Sequence, residues 1–137
     1  MRTSSRAFVQ GYSHGSLITS LFSLPEDPRF QNLRVSHILL SYPLGPRSWL
    51  TAFRGNHYAS GLTKLLKGTQ SRVLVIFGDR DEFTGHESYD TWSKSLRHDA
   101  GDMEGRLEIV CAQGANHFWS EPESRELMLC TIRDWIP

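Results

Sequence analysis

Three short stretches of this 137-residue chain hold residue types able to do covalent chemistry. Gly11-Tyr12-Ser13-His14-Gly15 fits G-x-S-x-G, with an apolar run before it and a helical pattern after it. A serine on a tight strand-to-helix turn needs small neighbours, because the backbone there is crowded. The turn would lift the hydroxyl clear of the sheet and aim the backbone N–H of His14 at a developing oxyanion. The same five residues also fit a Gly-flanked helix start with Ser13 as N-cap. Gly78-Asp79-Arg80-Asp81 closes the most apolar run in the chain. An acid at the carboxyl edge of a parallel sheet sits where loops converge on a ligand, whereas an Asp-rich turn that merely ends a strand is equally ordinary. Gly114-Ala115-Asn116-His117-Phe118-Trp119 follows the last apolar run. His117 there is placed to take a proton from Ser13 and deliver it to a leaving group, or is a plain loop histidine.

These stretches need elements to carry them. Apolar runs at 6–10, 35–42, 72–77 and 107–111 read as strands. Helical spacing at 14–24, 59–67 and 87–96, with a last helix bearing Leu127, Met128, Ile132, Trp135 and Ile136 on one stripe, fills the intervals. Ser120 followed by Glu123 predicts a capping box at the start of that last helix. Val73-Leu74-Val75-Ile76-Phe77 is uninterrupted, as expected of a strand covered on both faces. The alternation predicts one α/β domain over 1–137, a mostly parallel sheet flanked by helices. The segment 43–57, with Trp49 and Phe53, reads as an ordered excursion that, with Tyr58, lines a substrate pocket or packs as a small cap. Trp92 and Trp135 read as core, and Trp119 as a shield of the site or an anchor of its loop.

Composition narrows the function. Fifteen Lys plus Arg balance fifteen Asp plus Glu, which gives no long-range pull on nucleic acid or an anionic membrane. No apolar run approaches the roughly 20 residues of a membrane span. The six histidines lack H-E-x-x-H or C-x-x-C spacing, so no metal is expected, and no glycine loop for a nucleotide cofactor is present. Cys111 and Cys130 are expected as reduced core fillers in a cytoplasmic protein.

The order Ser13, then an acid after a later strand, then His117 after the last strand, is that of the α/β hydrolases. With Gly-Tyr-Ser-His-Gly at 11–15, Val-Leu-Val-Ile-Phe-Gly-Asp-Arg-Asp at 73–81 and Gly-Ala-Asn-His-Phe at 114–118, the chain resembles that superfamily. It is most similar to small, nearly lidless hydrolases of the dienelactone-hydrolase and acyl-peptidase-like type. The resemblance implies Ser13 as nucleophile, His117 as base and Asp81 as the orienting acid, with Asp79 bracing the loop. It implies a small-molecule acyl substrate (an ester, thioester or amide) and no cofactor. Members carry several strands upstream of the nucleophile, including a loop that donates a second oxyanion N–H, whereas about ten residues precede Gly11 here. The expectation is therefore a truncated α/β-hydrolase fold lacking its amino-terminal strands, with an open apolar edge beside residues 6–10 suited to self-association. A catalytically inactive hydrolase-like fragment acting as an interaction module is the alternative.

Overall fold

A computed structural model of the chain describes residues 5–44, 55–68, 70–101 and 105–136. Four strands, β1 (Arg6–Tyr12), β2 (Arg34–Leu40), β3 (Ser71–Gly78) and β4 (Leu107–Ala112), form one sheet in the order β1-β2-β3-β4. All three pairings are parallel, in register Gly11↔Leu39, Leu39↔Val75 and Val75↔Ile109. Helices α1 (His14–Leu21), α2 (Gly55–Lys67), α3 (His86–Ala100) and α4 (Pro122–Trp135) cover it. Parallel neighbours require crossovers, and the helices supply them.

β3 shows why the sheet sits where it does. Val73, Val75 and Phe77 point to one side and pack with Leu39, Leu62, Leu66, Tyr89 and Leu96. Leu74 and Ile76 point to the other and pack with Ile38, Leu40, Trp119 and Trp135. The uninterrupted apolar run is thus a strand buried on both faces. Trp135 is buried, and Trp92 is half-buried against Tyr42, ring centroids 4.6 Å apart. β1 pairs with β2 alone among the described residues and leaves Phe8 and Tyr12 exposed. No described helix is long and apolar enough to cross a membrane.

Several sequence expectations shift. β1 continues through Gly11 to Tyr12, because the ladder extends to Tyr12↔Leu40. α1 stops at Leu21, short of Leu24: Phe22 turns extended, and its carbonyl accepts from His37 Nε2 at 3.0 Å. α2 begins at Gly55, ahead of residue 59, and α3 runs on to Ala100. The capping box does not form. Asn116 holds both the backbone N–H and the hydroxyl of Ser120, each at 3.0 Å, which leaves Glu121 as the N-cap. Leu127 is exposed, and the covered stripe of α4 is Ser124, Met128, Ile132 and Trp135. The cysteines are not core fillers. Cys111 is exposed on the edge strand β4 and Cys130 is half-buried on α4; both are free. Tyr58 packs against the core, whereas Trp49 and Phe53 lie outside the described residues.

Candidate active site

Ser13 sits between the end of β1 and the first residue of α1, at φ 53° and ψ −121°. A non-glycine residue held there costs about 1–3 kcal/mol and persists only where its surroundings over-determine it. They do. Ser13 N–H donates to Leu40 O at 2.8 Å, and the Ser13 carbonyl accepts from Ser16 N–H at 2.9 Å and from the Ser16 hydroxyl. The backbone folds back so tightly that a Cβ on Gly11 would run into the Gly15 carbonyl and Thr19 Oγ1. Gly15 is different: a Cβ there would meet nothing within 4 Å. Of the two glycines in the motif, only Gly11 is sterically required. Ser13 makes no side-chain capping bond, so its hydroxyl does not serve the helix.

The hydroxyl instead meets His117. Ser13 Oγ lies 2.9 Å from His117 Nε2, and His117 Nδ1 lies 2.8 Å from Asp81 Oδ2. A carboxylate only accepts, so Nδ1 carries the proton and Nε2 presents a lone pair to the serine O–H. Asp81 and His117 are buried, with 9% and 4% of their surface exposed, while Ser13 is half-buried and open to a reactant. Burial pushes the Asp81 carboxyl up, but hydrogen bonds from His117 and from the Thr84 and Phe83 N–H groups outweigh it. Its pKa lies below the ordinary value, and it stays ionised. Oδ1 accepts from Phe83 N–H at 2.8 Å and Thr84 N–H at 2.9 Å; beside His117, Oδ2 shares the Tyr89 hydroxyl, 3.2 Å away, with the Tyr42 carbonyl at 2.9 Å. Burial, reinforced by the adjacent Asp81 charge, raises the Tyr89 pKa, so that hydroxyl remains a neutral donor.

The other candidate acid does separate work. Asp79 Oδ1 accepts the Gly114 N–H at 2.7 Å and ties the turn after β3 to the turn after β4. Gly78 lies so close to Ala115 that a Cβ would strike its carbonyl. His14 opens α1, where no intrahelical carbonyl faces its N–H.

Four residues of this arrangement escaped the sequence reading. The His117 carbonyl accepts the Tyr12 hydroxyl at 2.9 Å and the Ser41 hydroxyl at 3.2 Å. Ser41 in turn accepts Trp119 Nε1–H at 2.9 Å, so Trp119 anchors the loop. Glu82 Oε1 accepts the His117 N–H at 3.2 Å, and Tyr89 reaches Asp81 from α3. Ser41 had a weak signal, since it directly follows β2 as Ser13 directly follows β1. Tyr89 had none: on α3 it reads as any buried aromatic. Among the described residues, Ser13, Ser41 and Trp119 are the three non-glycine residues at positive φ, and all belong to this cluster.

No protein-family model and no curated protein matches the chain. Solved structures do. An esterase domain from Rhodothermus marinus superposes with TM-score 0.61 at 12% identity, over 94% of this chain and 60% of that one. An alpha-beta serine hydrolase homologue from Coxiella burnetii gives TM-score 0.55 at 20% identity, over 93% and 48%. A monoacylglycerol lipase from Paleococcus ferrophilus gives 0.58 at 16% identity, over 96% and 68%. The chain has the α/β-hydrolase fold and spans roughly half to two thirds of these neighbours.

Proposed function

We propose that the protein is a serine hydrolase that cleaves carboxylic ester, thioester or amide bonds through an acyl-enzyme. The observation that carries this is the chain of two hydrogen bonds, 2.9 and 2.8 Å, from Ser13 through His117 to Asp81. Ser13 Oγ adds to the carbonyl carbon as its proton passes to His117 Nε2. The resulting imidazolium is stabilised by the ionised Asp81 beside Nδ1. The tetrahedral oxyanion takes the His14 N–H, a donor of a kind worth about 2.7–4 kcal/mol in such sites. As the C–O, C–S or C–N bond breaks, His117 returns the proton to the leaving group. Water then adds to the acyl-serine with His117 again as base, which releases the acid and restores the Ser13 hydroxyl. The strained turn at Ser13 serves as the nucleophile elbow, and the hydrogen bonds from Ser41 to the His117 carbonyl and from Trp119 to Ser41 support the loop that holds the base.

Reaction with a fluorophosphonate tests the assignment. The reagent is expected to modify Ser13 and to leave Ser16 and Ser20 untouched, as read by peptide mapping. Both neighbours are buried with hydroxyls committed to backbone carbonyls. Label spread over several serines, or absent from Ser13, would sink the proposal and leave the interaction-module alternative standing.

A further inference from the structure

His117 is hidden, but the rings around it are not. Phe83 leaves 48% of its surface exposed, Phe118 59% and Tyr12 43%. Phe83 meets the imidazole edge-on, with centroids 4.7 Å apart at 65°. Phe118 stands nearly perpendicular to both, 5.3 Å from His117 and 5.6 Å from Phe83, each at 81°. Tyr12 closes the group at 5.7 Å from His117. Rings left in water forgo the burial that favours folding, and several gathered at one place mark a binding surface.

Their backbones are fixed by the hydrogen bonds that build the site. Phe83 N–H donates to Asp81 at 2.8 Å, and Phe118 lies between His117 and Trp119, whose indole is tied to Ser41. The surface is therefore pre-formed, which lowers the cost of seating a ligand. Charge narrows the ligand further. The Glu82 carboxylate accepts the His117 N–H at 3.2 Å, and its charge, with that of Asp81, is felt at Tyr12, which disfavours an anionic group there.

We infer that Phe83, Phe118 and Tyr12 seat an uncharged aromatic or alkyl group of the substrate beside Ser13, and so set specificity for apolar esters over small or anionic ones. This rests on the hydrolase assignment of Ser13.

The test compares two fluorophosphonates that differ in one substituent, methyl against 4-phenylbutyl, as second-order rates of Ser13 modification. The phenylbutyl reagent is expected to react about tenfold faster, the worth of covering roughly one ring's face. In Phe83→Ala/Phe118→Ala the ratio should fall toward one, while Phe83→Leu/Phe118→Leu should keep most of it. A ratio of rates cancels any loss of correctly folded protein in a variant. Equal rates in the unaltered chain, or a preference that survives the double alanine variant, would overturn the inference while leaving Ser13 as nucleophile. Failure of both reagents to modify Ser13 would overturn the hydrolase assignment, and this inference with it.

Discussion

Replacing Asp81 by Asn tests its proposed role as the orienting acid, and the surroundings dictate how the amide must sit. Phe83 N–H and Thr84 N–H both donate to Oδ1, at 2.8 and 2.9 Å, so the amide oxygen has to occupy that position. The amide nitrogen then takes the place of Oδ2 and points its N–H at His117 Nδ1, 2.8 Å away in the unaltered protein. His117 can meet that donor only with a lone pair on Nδ1, which moves its proton to Nε2. Nε2–H then donates to Ser13 Oγ and can no longer accept the serine proton. Loss of the correct tautomer costs triad enzymes about 10⁴ in turnover, equivalent to roughly 5.5 kcal/mol of barrier. Losing a charged acceptor should also lower stability by about 1.5–3 kcal/mol. Asp79→Ala removes only the brace to Gly114 and should cost about 1 kcal/mol of stability with little change in turnover. Hydrolysis of p-nitrophenyl acetate and urea unfolding, measured on both variants, separate the two carboxylates. Comparable activity losses from both, at unchanged stability, would mean that the acid has been misassigned.

Two further outcomes follow from the same geometry. Gly11→Ala, whose methyl would press on the Gly15 carbonyl, should destabilise by about 1–3 kcal/mol, whereas Gly15→Ala opens onto free space and should stay within about 0.5 kcal/mol; urea midpoints that rank the two in reverse would contradict the packing of the turn. Because the folded Asp81 pKa lies below its ordinary 3.8, the unfolded chain protonates first as pH falls. Its contribution is complete above that value and is lost as pH drops through the lower folded one, so stability measured from pH 6 to pH 3 should fall less steeply in Asp81→Asn than in the unaltered chain; identical slopes would contradict the shift.

The sequence alone determined the order and type of the elements, because burial leaves a periodic trace. Val73 to Phe77 could be uninterrupted only in a strand covered on both faces, and it is. G-x-S-x-G, the acids after β3 and the histidine after β4 were legible because each lies at a strand's carboxyl end, and parallel strands deliver those ends to one side of the sheet. Tertiary structure alone decided which acid faces His117. Asp79 and Asp81 are the same residue type two positions apart, and only the turn directs one to Gly114 and the other to the imidazole. Tyr12, Ser41 and Glu82 left little trace for a related reason: each pairs with His117 from far away in the chain, and such pairings leave no periodicity. Tyr89 meets Asp81 from only eight positions away, but as a buried helix aromatic it shows no sign of that polar partner. The capping signal at Ser120 was overridden by a competing local partner, Asn116 in the preceding turn. Periodicity records what is buried; the partner of a polar group is set by where the fold brings distant loops together.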